Sequence, residues 1–388
     1  MSAGTTPARR SVTVIVEPDP SGHRFQAVAN VAAVAGETSD VVLLTSKGAA
    51  NGEAFEVYLS GTTFAAVEER FTEVYPAAEE IAAAIAEKAR ELDVETAVLM
   101  DADQALKRWW WVARRAFKGL TRKPRIVLML TRYPARIKYT DKRVLQLRVS
   151  KGALAILARA TGTAQHISGF AGRDDMSRGW VVRRARDPEI CSEHSRDRAL
   201  LREGLGLPAD RVLVGIFGVI GPDKRPDLVL EALKVAGIDG DLVLAGGIRP
   251  EVRAWLEGLG TADRARVIVR DGFLSNEVLD KHVAAVDAVP IAQVHGGPSG
   301  IMGKASAAGV PVVSAGSEVR AREMVATDSG ENAEMTAESI GAAIRRVVER
   351  DPSAPRRNKV PPATADEFSR HLLGVDDQGR FVGMSRRR

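Results

Sequence analysis

The sequence has little cysteine and no long apolar run. A single cysteine, Cys191, in 388 residues excludes an internal disulfide framework and is what a reducing cytoplasm favours. No apolar run approaches the roughly 20 residues that a membrane-spanning helix needs. Residues 1–10 contain no apolar stretch, which predicts a loose N-terminal tail and not a signal peptide.

Several catalytic and cofactor motifs are also missing. No G-x-G-x-x-G follows the first predicted strand, Ser11–Val16, so a dinucleotide-dependent enzyme is disfavoured. His166, His194 and His282 have no partners at metal-ligand spacing, and we interpret them as structural. No Ser/His/Asp or Cys/His arrangement identifies a nucleophilic catalytic set.

Short apolar segments alternate with helical patterns along the chain. Val94–Met100 and Arg125–Leu130 are predicted strands, and Ala65–Leu92 is predicted as a long helical region interrupted at Pro76. The alternation predicts an α/β fold with parallel sheets covered by helices. A chain of 388 residues exceeds one ordinary core, so we expect two doubly wound Rossmann-like domains facing a cleft.

Changes in composition divide the chain. The arginine-rich stretch from Ser168 to Arg186 is interpreted as the region where the first domain ends, and Asp351–Pro362 is a proline-rich, basic connector. We expect a tail, a first domain, a second domain, and a connector with a short helix and basic tail that packs back on the first domain, over residues 1–10, 11–190, 191–355 and 356–388.

A glycine-rich loop stands out in the second half. It follows a short apolar run, Val286–Ala292, and contains Gly296, Gly297 and Gly300. Ser299 is the predicted N-cap of a helix over Ile301–Ala308. A glycine loop that leads into a helix N-terminus presents free N–H groups and favours phosphate. An ordinary strand-turn-helix connection is the alternative.

Three segments of the second half resemble the donor-binding half of GT-B glycosyltransferases of the retaining family-4 type. They are Val214–Leu233, Val269–Ser275 and Lys304–Val313, and their order and spacing agree with that family over residues 190–350. The resemblance implies transfer of a sugar from a UDP- or GDP-linked donor to an acceptor, with retention. It implies no structural metal and no separate cofactor.

The resemblance also implies site residues. The predicted donor-binding set is Gly218, Lys224, Arg225, His295, Gly297, Ser299, Gly300, Ile301 and Lys304. Lys224 would neutralise the diphosphate, and the backbone N–H groups of Gly300 and Ile301 would donate to it. On the acceptor side of the first domain, His23 and Arg132 are the predicted catalytic residues.

Three positions depart from that family's pattern. Val219 stands where an arginine is usual, and Gly296 and Lys304 stand where glutamates are usual. The second glutamate accepts hydrogen bonds from ribose hydroxyls, whereas an ammonium can only donate. Lys304 is therefore expected either to reach a phosphate or to point away. A non-catalytic binding protein with the GT-B fold is the alternative hypothesis, and a basic membrane- or nucleic-acid-associated module is a third.

The region from Lys107 to Arg148 is strongly basic, with fourteen Lys or Arg against one acidic residue, Asp141. Within it, Leu106–Leu120 is predicted as an amphipathic helix with three consecutive tryptophans. Tryptophan beside Lys or Arg suits a membrane surface, which would fit a lipid-linked acceptor; a small-molecule acceptor and a purely core-packing helix are alternatives. A cytoplasmic, membrane-associated protein is expected. Nucleic acid is disfavoured because no nucleic-acid-binding motif is present.

Overall fold

The computed structural model describes residues 10–21, 24–134, 142–294, 299–350 and 357–382. The chain forms two compact units. The first comprises the described residues up to Ala171, together with Asp175–Arg186 and those from Ala365 onward. The second comprises Gly172–Asp174 and Asp187–Thr364.

Strands and helices alternate through both units. The strands are β1 Val12–Val16, β2 Asp40–Ser46, β3 Ala66–Phe71, β4 Val94–Leu99, β5 Arg125–Leu130, β6 His166–Ala171, β7 Arg183–Arg186, β8 Val212–Phe217, β9 Gly240–Gly246, β10 Val267–Asp271, β11 Val289–Ala292, β12 Val312–Ala315 and β13 Gly330–Ala333. The helices are α1 Arg24–Gly36, α2 Glu53–Leu59, α3 Ala78–Glu91, α4 Leu106–Ala116, α5 Lys142–Ala160, α6 Arg198–Leu205, α7 Pro226–Val235, α8 Pro250–Glu257, α9 Thr261–Arg264, α10 Asn276–Ala285, α11 Gly300–Ala307, α12 Glu318–Thr327, α13 Ala337–Val348 and α14 Ala365–Leu373.

A parallel sheet forms the centre of the first unit. Its described strands are ordered β3-β2-β1-β4-β5-β6-β7. All residues of β1 are buried, because helices cover both faces of the sheet. Ile85 and Trp109 belong to the core beneath α3, α4 and α5, and Phe25 and Phe368 belong to the core beneath α1 and α14.

The second unit is built in the same way from two short parallel sheets, β10-β9-β8 and β11-β12-β13. A parallel bridge between Val214 and Ala288 joins them, and the N–H of Gly215 donates to the Ala288 carbonyl at 3.0 Å. The strands therefore follow the order β10-β9-β8-β11-β12-β13. Helices α7, α8 and α13 cover one face, and α6, α10, α11 and α12 cover the other. The predicted fold class, two doubly wound α/β units, is confirmed.

One stretch differs from the sequence-based expectation. Ala66–Phe71, predicted as part of a long helical region, is the edge strand β3 and pairs with β2. Glu68, Glu69 and Arg70 favour a helix locally, but an edge strand also tolerates charged side chains, and pairing with β2 decides the outcome. The arginine-rich stretch from Ser168 to Arg186 contains the end of β6 and the strand β7, and the second unit continues from Asp187.

Candidate functional site

The strand order of each unit reverses at one place. In the first unit the reversal lies between β1 and β4, and in the second it lies between β8 and β11. Doubly wound sheets bind ligands at such points, because the loops that follow the two strands diverge and leave a crevice. The residues that follow β1, β4, β8 and β11 are therefore the candidate site residues.

The end of β8 brings together two of the predicted donor residues. Gly218 follows Phe217 with a φ of 82°, a left-handed conformation that glycine adopts without strain. Gly246 packs against it so closely that a Cβ there would lie 2.1 Å from the Gly218 carbonyl oxygen. The Lys224 ammonium donates to the Phe217 carbonyl, so Gly218 and Lys224 are neighbours.

Lys224 is a partly buried cation that forms no salt bridge within the part of the chain that the structure describes. Burial lowers the pKa of its ammonium to about 8, and the Asp223 carboxylate offsets this effect only in part. The side chain is mainly protonated at pH 7 and carries an unneutralised charge at the strand end. A desolvated cation of this kind gains from an anionic ligand.

Helix α11 begins beside this cation. The Ser299 hydroxyl accepts a hydrogen bond from the Met302 N–H at 3.3 Å, so the predicted N-cap is confirmed. The N–H groups of Gly300 and Ile301 belong to the first turn, where no intrahelical acceptor exists. The helix dipole adds partial positive charge at this end, which favours an anion.

These groups line one small pocket of the second unit. Phe217 and Lys224 come from the β8 side, Gln293 from the end of β11, and Ser299 and Ile301 from α11. The side-chain amide of Gln293 donates to Asp223 at 2.8 Å, which ties the β11 end to the turn that carries Lys224. The switch point of the second unit thus combines an ammonium with a helix N-terminus.

Lys304 lies elsewhere. Its ammonium donates to Asp280 Oδ1 at 2.5 Å, and the other Asp280 oxygen accepts from the Ser192 N–H at 2.8 Å. Lys304 and Asp280 are both buried, and Lys304 does not line the pocket at Lys224. Of the two expectations for this lysine, the structure therefore fits the one in which it points away. The lysine joins α11 to α10 through a buried ion pair.

The remaining predicted donor and catalytic residues are placed as follows. Arg225 has a φ of 50° and its guanidinium pairs with Asp227 at 2.9 Å, on the surface next to Lys224. His23, His295 and Gly297 lie outside the described residues.

At the switch point of the first unit, three carboxyl groups surround Arg24. The guanidinium lies 2.9 Å from Asp101, 3.1 Å from Asp19 and 3.6 Å from Glu17. A single guanidinium thus interacts with three carboxyl groups. Glu17 is the most deeply buried of the three, and burial raises its pKa to about 8 although Arg24 acts in the opposite direction. Glu17 is therefore mostly protonated at pH 7.

The cluster continues along the sheet edge to Arg132, the predicted catalytic residue. Asp103 accepts hydrogen bonds from the Thr131 hydroxyl at 2.8 Å, the Arg132 N–H at 2.7 Å and the Lys151 ammonium at 2.6 Å. The Arg132 side chain is exposed. The structure thus sets Arg132 beside Asp103 and Lys151, in the unit predicted to bind the acceptor.

Glu17→Gln is expected to remove a pH dependence of stability. The folded pKa of about 8 lies above the ordinary value of 4.5, so the folded chain keeps a proton that the unfolded chain releases. The free energy of unfolding should fall as pH rises between these values, by roughly 5 kcal/mol at 1.4 kcal/mol per pKa unit. Glutamine does not ionise, so the variant should lack this loss.

Urea unfolding at pH 5 and pH 8 measures this difference. Glu56→Gln changes an exposed carboxylate of the same unit and should keep the wild-type pH dependence. Equal losses of stability in the wild type and Glu17→Gln would show that Glu17 ionises normally.

The amphipathic helix α4 buries one tryptophan and exposes another. Trp109 is buried and donates to the Thr163 carbonyl at 2.9 Å. Trp111 is 41% exposed, with the guanidinium carbons of Arg115 and Arg108 at 4.7 and 5.8 Å from its ring centroid. No helix among the described residues is long and apolar enough to cross a membrane. The exposed face of α4 therefore combines an aromatic ring with several cations.

Comparison with known proteins bears on the fold. No protein-family model and no curated protein matches the sequence. Among solved structures, Anabaena Alr3699/HepE in complex with UDP is similar, with a TM-score of 0.60 and 16% identity over 94% of each chain. A glycosyltransferase from Rickettsia africae ESF-5 has a TM-score of 0.66 and 12% identity over 94% of this chain and 97% of that chain. The chain has the GT-B fold.

The GT-B fold alone does not fix the reaction. UDP-N-acetylglucosamine 2-epimerase from Rickettsia bellii is also similar, with a TM-score of 0.55 and 12% identity over 94% of this chain and 95% of that chain. A fold that is shared by transferases and an epimerase leaves the reaction to the residues of the site.

Three polar residues at the switch points of this GT-B chain were not predicted. Arg24 and Lys151 hold the carboxylates of the first unit. The buried Arg320 guanidinium donates to the Gln293 carbonyl and to the Ser314 hydroxyl, the latter at 3.0 Å, and so fixes the end of β11. Of the three, only Arg24 had a signal in the sequence, because it closes the carboxylate-containing loop that follows β1.

Proposed function

We propose that this chain is a glycosyltransferase that takes a sugar from a nucleotide-diphosphate donor, UDP- or GDP-linked, and passes it to an acceptor with retention. The proposal rests on the cationic site of the second unit. There an ammonium that forms no salt bridge among the described residues shares one pocket with the N-terminus of α11, at the switch point of a GT-B unit.

The chemistry of such a donor fits these groups. Negative charge develops on the diphosphate as the bond to the sugar breaks, and fixed donors aimed at that charge stabilise the transition state. Lys224 would supply the charge, and the N–H groups of Gly300 and Ile301 would supply the hydrogen bonds. Because these groups can neutralise the leaving group, the proposal needs no metal. HepE, a structural neighbour, is described in complexes with UDP and UDP-glucose.

The acceptor side is proposed to lie in the first unit. Glu17, protonated at neutral pH, can donate a hydrogen bond, whereas Asp101 and Asp103 can accept from sugar hydroxyls. Arg132, exposed beside Asp103, can attract an anionic acceptor. These residues place hydrogen-bond donors and acceptors, and charges of both signs, at the carboxyl ends of the strands of one sheet.

Donor turnover tests the proposed reaction. The chain is incubated with UDP-glucose, UDP-N-acetylglucosamine and GDP-mannose, and ¹H NMR follows the anomeric signals while nucleotide release is quantified. Release of UDP or GDP, with a new signal of the same anomeric configuration as the donor, is expected. An inverted product would overturn retention.

Two other outcomes identify other functions. Epimerised nucleotide sugar without transfer would favour an epimerase. Binding of nucleotide without consumption of any donor, with or without a panel of sugar acceptors, would favour the non-catalytic binding protein. The second hypothesis is retained because Lys304 stands where that family has a carboxylate that binds the ribose. The Lys304 ammonium is paired with Asp280.

A lipid-linked acceptor and an anionic membrane surface are proposed as partners of α4. Each Lys or Arg near an anionic surface contributes about 1 kcal/mol, so Arg114→Gln/Arg115→Gln should weaken binding to vesicles about thirtyfold. Co-sedimentation with vesicles containing phosphatidylglycerol measures this, and Lys234→Gln/Arg346→Gln in the second unit is the charge-matched control. Equal vesicle binding of Arg114→Gln/Arg115→Gln and the wild type would contradict the proposal.

A further inference from the structure

One cavity of the first unit lies away from its switch point. It has a volume of about 370 Å³ and lies between the edge strand β7, the segment that precedes β7, and the helix α14. Neither Glu17 nor Arg24 lines it. A volume in this range accommodates a small organic ligand.

Arginine dominates the lining of this cavity. Five lining residues are arginines and two are carboxylates, so the lining carries an excess of positive charge: Arg178, Arg183, Arg184, Arg186, Arg370, Asp175 and Glu367. Arg186 is neutralised by Glu367 at 2.5 Å, and Arg184 lies 3.5 Å from Asp175. Arg370 pairs with Asp366 and Glu37, both at the surface.

Two of the arginines have no carboxylate partner among the described residues. The Arg183 guanidinium donates to the Gly179 carbonyl at 3.1 Å, a neutral acceptor that does not compensate its charge. The Arg178 side chain is exposed at the cavity and forms no described ion pair. Two guanidinium groups at one cavity match the charge of a phosphate dianion, which they can bind in a bidentate manner.

Several cationic side chains lie close to Arg183. Burial lowers the pKa of Arg159, and repulsion from Arg183 lowers it further. Burial lowers the pKa of His166, which lines the cavity, to about 4, and the same arginines contribute to that shift. His166 is therefore neutral at pH 7 and adds no further positive charge. An anion placed beside Arg183 would relieve this repulsion.

Part of the remaining lining is apolar. Met176, Val375 and Val382 contribute side chains next to the arginines. A ligand for this cavity therefore has a charged end and an apolar body.

We infer that the cavity between β7 and α14 is a second ligand site, which binds a small phosphate ester through Arg178 and Arg183. The site is separate from the proposed sugar transfer. The proposed donor site belongs to the second unit, and none of the proposed acceptor residues of the first unit, Glu17, Asp101, Asp103 and Arg132, lines the cavity.

Calorimetric titration with phenyl phosphate at low ionic strength tests this inference. Saturable binding to one site is expected, and it should persist when UDP is present at saturation. Because hydrogen bonds between charged groups are the strong ones, Arg178→Gln should weaken binding about tenfold, and Arg178→Gln/Arg183→Gln should weaken it further. Arg178 is exposed, so the single variant is expected to fold normally.

Lys47→Gln/Arg90→Gln removes two exposed cations of the same unit outside the cavity and is the matched control. This variant should bind phenyl phosphate as the wild type does. Three results would overturn the inference: no saturable binding to the wild type, displacement of phenyl phosphate by UDP, or equal weakening in the control and in the cavity variants.

Discussion

Arg173→Met is expected to destabilise the second unit by about 3–5 kcal/mol, the usual cost of breaking a buried ion pair by removing one partner. The Arg173 guanidinium is 1% exposed and bonds Glu323 at 2.6 Å and Asp187 at 2.5 Å. Glu323 is fully buried, and it would keep a carboxylate without a cation. The expected loss of stability comes from this unpaired buried carboxylate.

Gly303 allows helix α11 to pack closely against Arg173 of this ion pair. A Cβ at this position of α11 would lie 2.3 Å from the Arg173 guanidinium, so only glycine lets the helix approach it. Arg173 thus packs against the same helix whose N-terminus forms the proposed donor site. Loss of the pair should therefore also weaken nucleotide binding.

Urea unfolding, monitored by hydrogen exchange of peptides from the second unit, measures this loss of stability. Arg173→Met/Glu323→Leu is the informative comparison, because it removes the cation together with the fully buried carboxylate and leaves only Asp187, whose side chain is 18% exposed to water. This double variant should recover most of the stability. If it were no more stable than Arg173→Met, the loss would not come from the unpaired Glu323 carboxylate.

Local signals in the sequence predicted the start of α11 correctly. Ser299, with small residues after it, has the pattern of an N-cap, and the hydrogen bond to Met302 confirms it. The alternation of strands and helices was predicted for the same reason, since each apolar run and each cap is a local feature. The edge strand Ala66–Phe71 was missed because its pairing with β2 is not local.

The role of Lys304 could not be predicted, because its partner is distant in sequence. Asp280 lies 24 positions away, and Glu323 lies 150 positions from Arg173. Such pairs depend on which helices pack together, and no local pattern encodes this. The sequence showed only that a lysine replaces a glutamate, which left two roles open.

Lys224→Gln is expected to weaken UDP binding about ten- to hundredfold, the range for loss of a hydrogen bond to a charged group. The wild-type ammonium meets the diphosphate without a competing carboxylate, whereas glutamine offers a neutral donor. Burial lowers the pKa of Lys224 to about 8. Wild-type affinity should therefore fall as pH rises above that value, and the variant should lack this decline.

Two controls separate this effect from others. Lys234→Gln removes an exposed lysine of the same unit and should leave UDP affinity unchanged. Lys224→Arg keeps the charge and should retain most of the affinity at pH 7. It should also lose the decline above pH 8, because a guanidinium stays protonated there.

Calorimetric titration of UDP into the wild type and Lys224→Gln, at pH 7 and at pH 9, tests the proposed donor site most directly. We expect the variant to bind much more weakly at pH 7, and we expect the difference between the two proteins to shrink at pH 9. Equal UDP affinity of the two proteins at pH 7 would contradict a donor site at Lys224 and the N-terminus of α11.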